Sequence, residues 1–393
     1  MLNSKIELII ALTRSALKGE KYEHDREFPY DFILKVATLH QMYSMLYAGA
    51  LNLGADKNVP QMKALFDRVC KSIIVSDRQL HQINRILDAF ENNGIDHIPL
   101  KGIILKSMYP EAHMRLMGDA DILIRLDQID ECDRVMAELG FEKGPESDHE
   151  LIYNHRDLFV ELHKRTIPSY NKDYYAYFGD GWEKAIKCDS TKSRYTYNSE
   201  DEFIFIFTHF AKHYRDSGIG FRHLCDIWVY LNKRPNLNDD YMKSEMQKLC
   251  LYDFYLNIRD ALTYCFEDGE LTEKAEFILK NIFSGGAYGT SEASRLSDAV
   301  KMSKGKTVRG AWLKKVIKIA CPPYKTMTER YSALKKVPIL LPVFWVVNWV
   351  EILLFRRKNI KKRTDEIRAL SVDKIENYQQ GLNYVGLDFN FEE

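Results

Sequence analysis

The sequence predicts an α+β protein: a small mixed β-sheet core flanked by mostly helical N-terminal and C-terminal regions. Three observations carry that expectation. Apolar residues recur at helical spacing through the first 94 residues, short apolar runs with strand-like alternation replace them from Ile95 to about residue 166, and helical spacing returns beyond residue 199. The expected organisation is a helical region at 1–94, an α+β core at 95–198 and a helical region at 199–393 containing a basic segment at 301–363.

Taken in order, Phe32, Val36, Leu39, Met42 and Leu46 mark one apolar helix face, and Ile83, Ile86, Leu87 and Phe90 mark another, which ends at Asn92-Asn93-Gly94. His97-Ile98-Pro99-Leu100 reads as a strand, Lys101-Gly102 as the turn that closes it, and 103–109 as a short helix. A second strand spans 119–125, with Ile122, Leu123 and Ile124 as its apolar body, and 126–139 has helical spacing. Residues 151–153 and 158–163 read as two strands joined at His155-Arg156-Asp157, where Arg156 and Asp157 serve the turn. Further helices are expected at 203–213, 221–231 and 241–266, with Pro322-Pro323 punctuating the region that follows.

At 46% hydrophobic and 28% charged, the 393 residues suit a globular core and exclude collagen-like, disordered and disulfide-scaffold classes. Seven scattered cysteines with no Cys-x-x-Cys pair exclude a disulfide framework and a zinc ribbon. Glu7 and Arg14 interrupt the N-terminal apolar stretches, which read as an amphipathic helix and not as a signal peptide, so a cytoplasmic location is expected.

The formal charge is zero, but it is unevenly spread. Residues 301–363 hold 17 basic and 2 acidic side chains, a net of +15, against −10 before them and −5 after them. Such a block suits nucleic acid, phosphate or an anionic membrane; the alternative is a solvated helix surface that balances an acidic body. Within it, 337–355 is almost wholly apolar, interrupted by Pro338, Pro342, Asn348 and Glu351 and followed by Arg356, Arg357, Lys358, Lys361, Lys362 and Arg363. The stretch approaches the roughly 20 residues of a membrane span, and Glu351 near its middle argues against one. It reads as a helix buried against its helical region. Peripheral contact with an anionic membrane through 337–363 is the alternative.

The stretch that suggests chemistry is Gly118-Asp119-Ala120-Asp121-Ile122-Leu123-Ile124. Carboxylates at i and i+2 of a strand share a face, and two such anions are tolerable beside a divalent cation. Upstream, Gly102 at a strand-to-helix turn lets the backbone approach a phosphate, the following helix offers free N–H groups, and Lys101 adds a charge. Downstream, Phe159-Val160-Glu161-Leu162-His163 alternates, so Glu161 and His163 share a face. If that strand lies beside the aspartate strand, Glu161 becomes a third carboxylate. Three carboxylates, two magnesium ions and a phosphate-gripping turn make a site for nucleotidyl transfer.

The ordered set Leu100-Lys101-Gly102, then Arg115-x-x-Gly118-Asp119-x-Asp121, then Glu161-Leu162-His163 resembles the nucleotidyltransferases of the DNA polymerase β superfamily, and more narrowly the bacterial family described as uncharacterised nucleotidyltransferase. The likeness covers about 99–165 and a helical stretch near 203–231. It implies a nucleotidyltransferase core with Asp119, Asp121 and Glu161 as catalytic residues and ligands of Mg²⁺ or Mn²⁺ in a two-metal site. It further implies an NTP substrate gripped by Lys101, Gly102, Arg115 and Gly118. Two departures stand out. The superfamily's Gly-Ser turn is Gly102-Ile103 here, which removes a serine contact to the terminal phosphate, and the third carboxylate, often Asp, is Glu161.

Phe221-Arg222-His223-Leu224-Cys225-Asp226-Ile227 resembles a helix that, in related enzymes, turns a basic residue and an aspartate toward the nucleotide. Arg222 and Asp226 can equally form a local i,i+4 pair worth only about 0.3–0.5 kcal/mol. His163 can orient Glu161 or contact substrate. His209 and His213, also i,i+4, can bind zinc by spacing, but with no third ligand in pattern they read as packing. Lys106 is expected on the solvated side of its helix.

The function expected is metal-dependent transfer of an NMP from an NTP to an acceptor hydroxyl of RNA, protein, sugar or a small molecule, with release of pyrophosphate. The alternatives are a catalytically degenerate nucleotide-binding or protein-interaction module, which the Gly102-Ile103 turn permits, and a membrane-interface scaffold, which salt-dependent fractionation distinguishes.

Overall fold

A computed structural model describes residues 2–21, 27–287, 289–303, 317, 321–335, 337–355 and 371–388. The chain divides into two compact units.

The first unit comprises 1–213 and 219–288. It opens with three helices, α1 (Ser4–Lys18), α2 (Tyr30–His40) and α3 (Tyr43–Asn52), and the long α4 (Pro60–Asn92). Asn3 caps α1 by accepting from the Lys5 N–H. Gly49 lets α3 approach α1 closely, because a Cβ there would meet the Leu12 carbonyl oxygen at 1.9 Å. At 33 residues, α4 is about 50 Å long, with Pro60 in its first turn, where a missing N–H costs nothing.

A five-stranded sheet follows, in the order β1-β2-β5-β4-β3. Its strands are β1 (His97–Pro99), β2 (Ala120–Ile124), β3 (Glu142–Glu146), β4 (Glu150–His155) and β5 (Leu158–His163), with the helices α5 (Gly102–Met108) and α6 (Ile129–Glu138) between them. The sheet is mixed: β2 runs parallel to β5 and antiparallel to β1, while β4 is antiparallel to both β3 and β5. Ala120, Ile122, Ile124, Leu158, Val160 and Leu162 are buried in one cluster with Ile83, Ile86, Leu87 and Phe90 of α4 and Cys132, Val135 and Met136 of α6. One face of β2 and β5 is therefore core. The alternation of a strand puts Asp121, Glu161 and His163 on the other.

The remainder of this unit is helical apart from one hairpin. After α7 (Lys172–Phe178) and the pair β6 (Ile186–Lys187) and β7 (Tyr195–Thr196) come α8 (Ser199–Asp216), α9 (Phe221–Lys233), α10 (Asp239–Lys248), α11 (Tyr252–Phe266) and α12 (Glu273–Ser284).

The α+β class, the small mixed sheet and its helical surroundings agree with the sequence reading. Some elements differ. The helical pattern of 126–139 begins as a 3-10 turn, Leu126–Gln128, before α6. The helix expected at 241–266 is two helices, broken where Cys250 adopts a left-handed φ of 53°. Strand β3, Glu-Lys-Gly-Pro-Glu, was not expected, because it lacks an apolar face. It is an exposed edge strand with a register irregularity between Lys143 and Glu146, where Pro and charge are tolerated.

The second unit comprises 214–218 and 289–388. Its described helices are α13 (Ser291–Ser303), α14 (Tyr324–Arg330), α15 (Leu341–Phe355) and α16 (Val372–Tyr384). Lys374 of α16 pairs with Glu292 of α13 at 2.7 Å. Asp216 takes the fully buried Arg215 at 3.1 Å and Lys301 at 2.8 Å. Residues 304–316, 318–320, 336 and 356–363 of the basic segment lie outside the described residues. The apolar stretch 337–355 departs from the buried helix expected of it: Ile339, Val343, Val346 and Val350 are exposed. Among the described residues, no helix is long and apolar enough to cross a membrane.

Candidate active site

The site sits on the polar face of the β2–β5 pair. Parallel register sets Asp121 opposite Glu161 and Leu123 opposite His163, so a carboxylate, a second carboxylate and an imidazole project side by side. Asp121 is almost fully buried and Glu161 is partly buried. His163 Nε2 donates to Asp121 Oδ1 at 2.7 Å and lies 3.6 Å from Glu161 Oε2. Ligand atoms of Asp121, Glu161 and His163 all fall within 4.8 Å of one another.

Lys101 completes the arrangement. It stands between β1 and α5 with φ +40° and ψ −101°, a positive-φ backbone that a residue with a side chain rarely adopts. Its ammonium donates to Asp121 Oδ1 at 3.1 Å and lies 5.9 Å from the Phe205 ring of α8. Strain of this kind persists where surrounding contacts over-determine it, here the Leu100 N–H to Asp121 carbonyl bond at 3.0 Å and the start of α5.

The electrostatics separate the three carboxylates. Burial opposes ionisation of Asp121, but Lys101 and then His163 outweigh it and hold the group well below the usual carboxylate range. Burial followed by the charge of Asp121 raises Asp119. Burial followed by Asp121 and Asp119 pushes Glu161 up to about 7. One anion is thus offset by the Lys101 ammonium and the His163 hydrogen bond, and two are left in mutual repulsion, the condition that a divalent cation relieves. The donor set fits a hard metal ion. The tightest donor group brings in His163 and does not include Asp119, a different trio from that read in the sequence.

The segment between α5 and β2 is fastened from below. Asp226 of α9 binds Arg115 through two contacts, Nε to Oδ1 at 2.8 Å and Nη2 to Oδ2 at 3.1 Å, and accepts from the Tyr109 hydroxyl at 2.7 Å. The Gly102 turn packs directly on this clasp, where a Cβ would lie 3.0 Å from Met117 Sδ and 3.2 Å from Arg115 Nη1. Gly118 is exposed just ahead of β2. Lys106 is not solvated as expected: it is fully buried, and its ammonium donates to the Arg115 carbonyl at 2.9 Å. Burial and then Arg115 lower it to about 8. Asp226 therefore serves Arg115 and Tyr109, while Arg222 donates to Gln41 at 2.9 Å and to the Leu116 carbonyl at 3.3 Å.

Nearby imidazoles line the same region. On α8, His209 and His213 share a face and are hydrogen-bonded Nε2 to Nε2 at 2.8 Å. Burial, then the charge of Lys101, holds His209 well below its usual range, hence neutral. His149, which the sequence did not single out, stands with its ring centroid 6.2 Å from that of His163 and its Nε2 2.9 Å from Glu150. Tyr109 was missed too. Tyr109 has no spacing signal, since its partner Asp226 is 117 residues away, and an adjacent His149-Glu150 pair gives no pattern that points to the site. Arg156 and Asp157 form the β4–β5 turn.

The site thus joins carboxylates across two parallel strands, with a lysine at a strand-to-helix turn. The chain belongs to the family described as uncharacterised nucleotidyltransferase, whose model matches residues 26–266. No curated protein matches it. Among solved structures, the solution structure of the antibiotic-resistance factor ANT(2'')-Ia is similar at 11% identity and a TM-score of 0.34, over 47% of this chain and 96% of that one.

Proposed function

We propose that the protein transfers a nucleoside monophosphate from an NTP to an acceptor hydroxyl in a metal-dependent reaction. The observation that carries this reading is the register pairing of Asp121 with Glu161, which joins two acidic strands into one site beside Lys101 and His163. The acceptor oxygen attacks the α-phosphorus, the new P–O bond forms as the bond to the β-phosphate oxygen breaks, pyrophosphate leaves, and the acceptor proton passes to a site carboxylate.

Asp119, Asp121 and Glu161 would hold Mg²⁺ or Mn²⁺, with His163 adjoining. When bound, the ions supply charge neutralisation at the phosphates and acidify the acceptor hydroxyl. Lys101 places a positive charge over the carboxylate pair and offers it to the triphosphate. Gly102 keeps the turn open to the backbone. Arg115, held by Asp226, fixes that turn in place, a positioning role that precedes any phosphate contact. Arg222 and Gly118 are the outer candidates for the nucleotide.

Incubation with labelled NTPs, Mg²⁺ and a pool of acceptors from a cell extract is expected to label an acceptor and release pyrophosphate. Absence of labelling with all four nucleotides, together with no measurable Mg-NTP binding, defeats the proposal.

A further inference from the structure

We infer that the exposed face of α15 is a lipid-contact surface, which lies in the interface of an anionic phospholipid membrane without crossing it. The inference is independent of the nucleotidyl-transfer reading and concerns the second unit alone.

The helix is amphipathic in an inverted sense. Its packed face is polar and aromatic: Asn348 is 1% exposed and accepts from Arg330, and at the edge of that face Glu351, its side chain 41% exposed, accepts from Arg330 at 3.1 Å and from the Tyr331 hydroxyl at 2.8 Å. On the same side, Trp345 donates to the Pro322 carbonyl at 2.8 Å, and Phe344 stands 5.0 Å from the Tyr331 ring. Asn348 and Glu351, which look in the sequence like interruptions of an apolar run, are thus the residues that anchor the helix to its neighbours. The outward face is apolar. Val343 is 55% exposed, Val346 64%, Val347 37% and Val350 46%, with Ile339 at 85% just ahead of the helix. Positions 343, 346, 347 and 350 follow i, i+3, i+4, i+7, one continuous stripe. An apolar stripe of this length on a soluble surface marks an interaction site.

Charge selects the occupant. The stripe lies within a stretch of chain that is net +15, and the exposed Lys335 precedes it. An apolar face flanked in the sequence by basic residues suits an anionic lipid surface, where acyl chains take the valines and headgroups take cations such as Lys335. The described helix, 15 residues and about 22 Å, is shorter than the roughly 30 Å hydrocarbon core, and Glu351 on its side disfavours a span.

The test is co-sedimentation of the full chain with vesicles of phosphatidylcholine alone and of phosphatidylcholine with phosphatidylglycerol. Binding is expected to the anionic vesicles at low salt, to fall at least about tenfold near 0.5 M salt, and to fall as far in Val343→Asp/Val346→Asp/Val350→Asp. Circular dichroism checks that this variant is folded; the single Val346→Ser, with a smaller loss in the same direction, serves if it is not. No binding to anionic vesicles, equal binding to neutral ones, or binding untouched by both variants overturns the inference. So does a lipid-free dimer that the valine substitutions dissociate, because the face would then belong to a second copy.

Discussion

The two faces of the β2–β5 pair are built from alternate residues of the same ten or so positions, yet they obey opposite rules. Ala120, Ile122, Val160 and Leu162 face α4 and α6 and are wholly buried, each gaining from removal from water. Asp121, Glu161 and His163 face the other way and are held by a few directed contacts in a region where burial works against ionisation of Asp119, Asp121 and Glu161 alike, and only at Asp121 do local partners outweigh it. The apolar face supplies stability and tolerates change in chemistry poorly; the polar face joins one stabilised carboxylate, Asp121, to two whose charge is disfavoured. A rigid core face is what lets the polar face keep repelling anions at fixed separation.

That contrast is open to test. The largest effect is expected from Asp121→Asn, with nucleotidyl transfer falling roughly a thousandfold or more, about 4 kcal/mol in barrier. Its melting temperature should also fall, because Lys101 and His163 lose their charged partner. Asp119→Asn should lose as much activity with its melting temperature unchanged or raised, since its charge is disfavoured where it sits. Loss of stability in Asp119→Asn comparable to that of Asp121→Asn would break the distinction. On the opposite face, Ile122→Ala should cost about 2–5 kcal/mol in denaturant unfolding while the folded fraction keeps its turnover. Gly102→Ala should cost about 1–3 kcal/mol through overpacking against Met117 and Arg115.

The pH dependence comes next. The folded state retains the Glu161 proton up to about 7, whereas an unfolded glutamate releases it near 4.3. Stability should therefore fall as pH rises through that window in the absence of divalent cations. Buried His40, lowered to about 4, acts in the opposite sense, so the readout is the difference in melting temperature between wild type and Glu161→Gln across pH 4–8. A flat difference would refute the assignment. The smallest effect is expected from Arg156→Ala at the exposed β4–β5 turn, within about 0.5 kcal/mol and without change in activity.

Much of this arrangement was legible in the chain. Strand alternation at Glu161–His163 revealed that those two share a face, and the apolar residues of both strands revealed where the core lies, whereas Asp119 stands just ahead of β2. What alternation does not carry is adjacency: that β5 lies beside β2, with Asp121 opposite Glu161, is a matter of topology. The same limit hid the clasp. An i,i+4 reading pairs Asp226 with Arg222, whereas Asp226 binds Arg115, 111 residues away. Lys106 looked solvated because a lysine on a short helix usually is; its ammonium is instead bound to a carbonyl inside the turn. Helix α15 misled in the reverse direction, since an apolar run is read as buried by default.

The Arg115–Asp226 clasp has a bearing on how this protein can be dissected or recombined. Residues 95–198 look like a portable cassette, but they share their apolar core with α4 and their buried ion pair with α9. Excision would expose one side of the sheet and strand a guanidinium with its counter-ion removed, a defect worth several kcal/mol on its own. Strands β2 and β5 are better regarded as an inset within a helical frame, so chimeras should keep α4 through α9 as one block and vary what surrounds it.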